Sequence, residues 1–310
     1  MQPLSGKEIF GNWATLLLPI NVDESIDYAH LNAEIEKLIS YKVDGIYSNG
    51  TAGEFYNITE EEFERTSIIL AEKCNLANMS FQIGVSHMSP IISLNRLKKI
   101  LPLKPSAVQV ILPDWFKVTN EEALSFLKKM AETAGEIGLV LYNPPHAKRN
   151  LAPADFDFLQ KEIHNFVGIK VAGGDDKWYS DMKKKCPDLS VFIPGHHLVT
   201  GYLKGAHGAY SNMACLNPLF AQRWYQSIGK NTERALDIEK RVNAFLSEHI
   251  LPLITDKHYA NQAVDKLLAA IGGWSDIGTR LRWPYKWIPE DYAAVLRPRA
   301  REIIPEFFEY

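Results

Sequence analysis

Residues 139–174 read LVLYNPPHAKRNLAPADFDFLQKEIHNFVGIKVAGG, and they contain two apolar runs separated by a segment with helical periodicity. The first run covers residues 139–142 and the second covers residues 167–171, and Gly, Pro or polar residues follow each of them. The runs begin 28 residues apart, which leaves room for one helix between two strands. This order predicts that the two strands pair in parallel.

The same alternation extends in both directions from this unit. Strand-like runs are predicted at residues 12–18, 45–48, 81–85, 107–111, 139–142, 167–171, 189–194 and 208–211. Helix start signals lie between several of them, namely the capping boxes Thr59 with Glu62 and Thr119 with Glu122, and Asn217 before Pro218. Eight such units without a linker predict the α/β class and a closed (β/α)8 TIM barrel.

The strand signals stop near residue 230, whereas helical periodicity continues to the C-terminus. Helices are predicted around residues 234–250, 258–271 and 292–308. We therefore expect a catalytic barrel over residues 1–230 and a helical extension packed on it over residues 231–310.

Composition limits the possible functions. The 310 residues are 46% hydrophobic, with 34 basic and 37 acidic side chains and a net charge of -3, which is typical of a globular protein and gives nucleic-acid binding little electrostatic support. The three cysteines form no CxxC pair, which argues against a disulfide framework or a structural zinc site. No run approaches the ~18–20 apolar residues of a membrane span, and no export signal is visible, so we expect a cytoplasmic protein.

Lys170 is the most informative candidate for chemistry. Active sites of such barrels lie at the C-terminal strand ends, and Lys170 lies near the end of an apolar run. Strict alternation places Gly168, Lys170 and Ala172 on one face, and Val167 and its alternating partners on the other. Small neighbours leave space for a desolvated lysine that could form a Schiff base with a carbonyl. The structural alternative is a lysine that reaches the barrel rim or pairs with a carboxylate.

Two further strand ends carry suitable partners. Tyr142 ends the strand that precedes Lys170, and its phenol could transfer protons during imine formation; otherwise it is an aromatic cap on the barrel. Thr51 and the turn 50–53 offer a hydroxyl and backbone N–H groups suited to a small carboxylate, although such a turn alone is weak evidence.

Together these positions resemble the family of dihydrodipicolinate synthase and N-acetylneuraminate lyase, the class I pyruvate-dependent aldolases. The resemblance covers nearly the whole chain and rests on the GTAGE turn at 50–54, Tyr-Asn-Pro at 142–144, Gly-Ile-Lys at 168–170 and the C-terminal helices. It implies a Schiff base between Lys170 and a 2-keto acid, with Tyr142 as the proton-transferring phenol and Thr51 in its hydroxyl relay. It also implies that the N–H groups of Thr51 and Ala52, beside Gly50, hold the substrate carboxylate.

Departures from the family pattern bear on the substrate. Ala147 stands where the synthase has the arginine that binds the second substrate's carboxylate, and Lys148 and Arg149 follow it, either to compensate for that arginine or as solvated side chains. Asp114, Trp115 and Phe116 stand where the synthase has a tyrosine pair. These departures disfavour a role in lysine biosynthesis.

Further candidates for substrate binding follow other strands. They are Trp115, Lys148, Gly195, His196 and Asn212, with His146 and His197 nearby. The lyase of the family has acidic groups where this chain has His196 and His197. Adjacent histidines in an extended segment point in opposite directions, which argues against a metal site, and one of them could bind a substrate hydroxyl.

The leading hypothesis is therefore a Schiff-base lyase or aldolase that reversibly joins or separates pyruvate and an aldehyde, with a hydroxylated 2-keto acid of the sugar-acid type as substrate. It requires no metal or organic cofactor. The alternatives are a 2-keto acid hydratase or dehydratase, a synthase-like condensation through the same imine, and a keto-acid-binding barrel without turnover. The resemblance also suggests a homotetramer built from two dimers, with neither nucleic acid nor a membrane as partner.

Overall fold

Eight parallel strands form a closed barrel in the computed structural model, which describes residues 1–309. Each strand pairs with the next along the chain, and the last pairs with the first. The strands are β1 (Gly11–Thr15), β2 (Gly45–Ser48), β3 (Phe81–Gly84), β4 (Ala107–Val110), β5 (Gly138–Tyr142), β6 (Phe166–Lys170), β7 (Ser190–Ile193) and β8 (Gly208–Tyr210). The predicted (β/α)8 barrel is confirmed, with strand ends that differ from the predicted ones by a few residues.

Helices connect the strands and cover the outside of the barrel. They are α1 (Tyr28–Ser40), α2 (Glu60–Ala77), α3 (Pro90–Ile100), α4 (Asn120–Ala134), α5 (Pro153–Glu162), α6 (Asp176–Lys185), α7 (Leu198–Lys204), α8 (Asn212–Leu216) and α9 (Pro218–Ser227). The capping box that precedes α2 is formed: Thr59 Oγ1 accepts from the Glu62 N–H at 3.2 Å, and Glu62 accepts from the Thr59 N–H at 2.9 Å.

The C-terminal region is helical, as predicted, and packs against the barrel. Its helices are α10 (Thr232–Phe245), which continues through the π-helical turn Leu246–Ile250 into α11 (Leu251–Thr255), then α12 (Asn261–Gly272) and α13 (Asp291–Ile303). Glu239 of α10 accepts from the Val199 N–H of α7 at 2.7 Å. Within residues 1–309 no helix combines the length and apolarity needed to cross a membrane. The domain boundary at residue 230 stays a prediction.

Large aromatic side chains fill the barrel interior. This inner cluster contains Ile9, Trp13, Tyr47, Ala107, Val140, Phe192 and Tyr210. Val167 also packs against it, so the prediction that Val167 shares the outward face of Ile169 is wrong. The reason is a β-bulge: the β5–β6 register shifts after Leu139, and Val140 pairs with Gly168. Beyond the bulge the alternation holds, and it turns Lys170 inward.

Candidate active site

Lys170 lies at the C-terminal end of β6 inside a ring of phenols. Its Nζ donates a hydrogen bond to Tyr47 Oη at 3.4 Å and lies 4.3 Å from the ring centre of Tyr142. The Tyr210 ring centre is 5.4 Å away. Burial lowers the pKa of Lys170 to about 8, although the charges of Asp265 and Cys215 oppose this effect. About a tenth of the amine is then neutral at pH 7, far more than for an ordinary lysine.

Tyr142 lies beside this amine at the neighbouring strand end, and Thr51 of the turn after β2 contacts Tyr142. Burial raises the pKa of Tyr142, and a hydrogen bond with the Thr51 side chain lowers it in part. Tyr142 pairs with Lys170 in the β5–β6 register, which places both side chains at the same level of the barrel. The structure therefore brings together the three residues predicted to be catalytic.

The turn after β2 is held tightly by its own backbone. Asn49 and Glu54 both adopt left-handed conformations, with φ of 54° and 53°. The Glu54 N–H donates to Thr51 O at 3.1 Å, whereas the N–H groups of Thr51 and Ala52 donate to no acceptor within residues 1–309. A Cβ at Gly50 would lie 2.8 Å from the Tyr47 ring, so the turn packs directly on this phenol. The free N–H groups suit a carboxylate.

His196 and Asn212 form a pair at the ends of β7 and β8. His196 Nδ1 lies 3.0 Å from Asn212 Nδ2 and 3.3 Å from Asn212 Oδ1. Burial lowers the pKa of His196 to about 4, helped by the charge of His197, so the imidazole is neutral at pH 7.

The prediction that His196 and His197 point in opposite directions is wrong. Both lie in a 3-10 turn that begins at Gly195, and their ring centres are 4.1 Å apart. A helical turn places consecutive side chains about 120° apart rather than on opposite sides. Gly195 is required here because a Cβ would overlap the Ser211 hydroxyl.

A cleft of about 100 Å³ opens beside Tyr142 and Thr51. Its lining is Thr51, Phe55, Ile111, Leu112, Pro113, Asp114, Tyr142, Asn143, Pro144, His146, Ala147 and Arg149. Trp115 and Lys148 lie outside this lining: Trp115 is 65% exposed, and Lys148 Nζ donates to the Trp115 carbonyl at 2.5 Å. The binding roles predicted for these two residues stay predictions.

Arg149 is the cation of the cleft, and its guanidinium is already engaged. It donates to the Val118 carbonyl at 2.8 Å and to the side chain of Asn120, and it lies 3.7 Å from Asp155. These hydrogen bonds use two of the five N–H groups of Arg149. In the described part of the chain no cluster of three or more His, Cys, Asp or Glu side chains could hold a metal ion.

The profile of the Dihydrodipicolinate synthetase family matches residues 9–294. The chain therefore belongs to this family. Among similar proteins, a DapA-like lyase of Thermococcus onnurineus is 29% identical over 301 residues, covering 93% of this chain and 97% of its own. The N-acetylneuraminate lyase of Fusobacterium nucleatum is 25% identical over 238 residues, covering 75% and 81% respectively.

Solved structures of the dihydrodipicolinate synthetase family share this fold. The pyruvate complex of YagE, a prophage protein of Escherichia coli K12, aligns with a TM-score of 0.83 and 19% identity, covering 95% of this chain and 98% of its own. The Fusobacterium nucleatum lyase aligns with a TM-score of 0.81 and 20% identity over 96% and 99%. Because the family contains lyases and synthases, the chain is an enzyme of the lyase and condensation type.

Sequence reasoning missed several residues of this family member's site. Tyr47 and Tyr210 lie in short strands where period-2 alternation could have identified them as inward-facing. Asp265 and Cys215 lie near Lys170 closely enough for their charges to change its pKa. Asp265 could have been selected as a candidate because it is a carboxylate among the apolar residues of the predicted helix 258–271.

Proposed function

We propose that the protein is a Schiff-base lyase that reversibly cleaves a hydroxylated 2-keto acid into pyruvate and an aldehyde. The observation that carries this proposal is the enclosed amine of Lys170, whose pKa is lowered to about 8 and which lies 4.3 Å from the Tyr142 ring. A neutral amine at the C-terminal mouth of the barrel can attack the C2 carbonyl of a keto acid.

The substrate carboxylate would bind at the turn after β2. The N–H groups of Thr51 and Ala52 are free to donate to it, and these main-chain donors do not depend on a side-chain hydroxyl at position 52. This placement would bring C2 towards Lys170, with Tyr142 beside it. The Tyr142 phenol would then donate a proton to the carbinolamine hydroxyl as water leaves, with Thr51 returning that proton.

The cleft beside Tyr142 would hold the part of the substrate that leaves as the aldehyde. Its walls are largely apolar, and Asp114 and His146 add groups that can bind hydroxyls. Arg149 of the cleft already donates to Val118 and Asn120 and lies 3.7 Å from Asp155, which weakens the interaction that it can offer to a second carboxylate. This arrangement favours an uncharged, hydroxylated aldehyde over the substrate of a synthase-like condensation.

The test is pyruvate release from a panel of 2-keto-3-deoxy sugar acids, measured with a coupled lactate dehydrogenase assay. The wild type is expected to release pyruvate from at least one member of the panel, and Lys170→Met to release none. Lys184→Met, which changes an exposed lysine of α6 on the outside of the barrel, is the matched control and should retain activity. If the substrate loses water and no pyruvate is released, the protein is a dehydratase and the lyase proposal is wrong. Binding without turnover would support a keto-acid-binding barrel.

A further inference from the structure

Asp265 is a carboxylate without a protein partner in the middle of α12. The residues before and after it, Val264 and Lys266, are buried, while Asp265 is only partly accessible. Within residues 1–309 its carboxylate makes no hydrogen bond, and no basic nitrogen lies within 4.0 Å of it. Removing an unpaired carboxylate from water destabilises the folded protein, so an aspartate at this position of an apolar helix suggests a function.

Two contacts fix α12 across the C-terminal mouth of the barrel. Lys266 Nζ lies 2.6 Å from Glu54 Oε1 in the turn after β2, and both side chains are fully buried. At the other end, Gly272 packs so closely on α8 that a Cβ would overlap the Leu216 carbonyl. The helix therefore runs from the loop that carries Thr51 to the helix that follows β8.

The helical spacing of α12 places Asp265 on the face that packs on α8. Residues seven apart lie on the same face of a helix, so Asp265 shares the face of Gly272, which packs on α8. Position 265 lies about 10 Å from position 272 along the helix axis. Asp265 therefore lies about two helical turns before the contact with α8, next to Lys266, which pairs with Glu54 in the turn after β2.

The electrostatics agree with this placement. The charge of Asp265 raises the pKa values of groups that surround the cavity from β2, the loop after it, β5, β6 and α8, namely Tyr47, Tyr56, Tyr142, Lys170 and Cys215. Burial raises the pKa of Asp265 itself to about 7, and the Lys170 charge lowers it in part. Such a carboxyl group exchanges protons readily at neutral pH.

We propose that Asp265 is the acid–base residue that moves protons to and from the carbon skeleton of the substrate bound to Lys170. The proposal rests on the proposed lyase function and assigns its proton carrier. Burial raises the pKa of Tyr142 and of Tyr47, so both phenols stay protonated at neutral pH and are suited to donating a proton rather than to accepting one. His196 is tied to Asn212 at the end of β7.

The proton transfers balance over one cycle. The Asp265 carboxylate accepts the proton of the C4 hydroxyl while the C3–C4 bond breaks, and the electron pair of that bond neutralises the protonated imine to give an enamine. The C4 carbonyl leaves as the aldehyde. Asp265 then returns the proton to C3, which restores the imine and the carboxylate, and water releases pyruvate from Lys170.

Pyruvate alone tests this assignment, because exchange of its methyl hydrogens faster than in pyruvate without enzyme requires a proton to leave C3 of the imine. The experiment follows deuterium uptake by NMR in D2O and traps the imine with borohydride in parallel. Asp265→Asn should trap pyruvate on Lys170 like the wild type but exchange about 100-fold more slowly. Asp276→Asn, which changes an exposed aspartate of the same region, should leave both rates unchanged.

The outcomes separate this inference from the proposed function. A wild type that traps no keto acid would overturn the Schiff-base lyase itself. Normal exchange in Asp265→Asn would overturn the role of Asp265 alone, and so would loss of trapping, because Asp265 would then act on the amine rather than on C3. The pH profile of trapping gives an independent check of proximity: without the Asp265 charge, the inflection from Lys170 should move below that of the wild type.

Discussion

At the scale of single residues, the site depends on keeping a lysine where its charge is unfavourable. Burial lowers the pKa of Lys170 from 10.5 to about 8, so the folded state binds fewer protons than the unfolded state between these values. Below pH 8 Lys170 is charged in both states. The free energy of burying this charge then destabilises the folded protein in full. Lys170 therefore reduces stability at neutral pH while it supplies the nucleophile.

Lys170→Met should accordingly stabilise the protein while abolishing catalysis. We expect a gain of about 1–3 kcal/mol in the free energy of unfolding at pH 7. The gain should shrink as the pH rises from 8 to 10.5, because the wild type loses its unfavourable proton over that range. Urea unfolding across this pH range measures it, with Lys148→Met as the exposed control. A destabilised Lys170→Met variant would contradict the account of the burial.

Tyr47 and Tyr210 allow a matched comparison at the same scale. Tyr47 Oη accepts the hydrogen bond of Lys170, whereas Tyr210 Oη donates to Gln82 at 2.7 Å. Tyr47→Phe should slow trapping of pyruvate by roughly tenfold or more, because it removes the hydroxyl that contacts the amine. Tyr210→Phe removes a hydroxyl from the same cluster and should leave the trapping rate within about twofold. Equal effects would show that the contact at 3.4 Å has no role in imine formation.

At the scale of secondary structure elements, the Lys266–Glu54 ion pair ties the C-terminal extension to the active site. Lys266 Nζ and Glu54 Oε1 are 2.6 Å apart and both side chains are buried. Removing one partner therefore leaves the other as an unpaired buried charge. Lys266→Met should cost about 3–5 kcal/mol, and the double variant with Glu54→Gln should recover much of that loss. Lys204→Met, which breaks the exposed pair with Asp176, should cost less than about 1 kcal/mol. Additive losses in the double variant would contradict the coupling.

At the scale of the whole molecule, the sequence predicted the barrel because its signals are local. Apolar runs of period 2 alternate with helical segments at regular spacing, and capping residues such as Thr59 mark the helix starts. The contacts that complete the site are not local. Lys170 and Tyr47 are 123 residues apart, and only closure of the barrel brings them together. Asp265 affects the pKa of Lys170 only because α12 packs on α8 and on the turn after β2.

Two wrong predictions of side-chain direction also result from structure that a single sequence does not reveal. Strict alternation placed Val167 outside, whereas the bulge between β5 and β6 turns it inward. An extended backbone was assumed for His196 and His197, whereas residues 195–197 form a 3-10 turn. Neither bulges nor short turns have a strong sequence signal in a single chain.

Assembly is also a property of the whole molecule. Trp115 and Phe116 are 65% and 76% exposed beside the mouth of the barrel, which is unusual for large aromatic side chains. We expect four chains per particle by light scattering after gel filtration. Replacing both aromatics with serine should yield smaller particles if this patch forms an interface. A monomeric wild type would contradict the predicted homotetramer.

The most direct test of the central claim is chemical capture of the imine. The protein is incubated with pyruvate and borohydride, and the modified peptide is identified by mass spectrometry. The account predicts one reduced pyruvyl adduct per chain, on Lys170, and none in Lys170→Met. An adduct on another lysine, or no adduct with any 2-keto acid, would contradict a Schiff-base mechanism at this site.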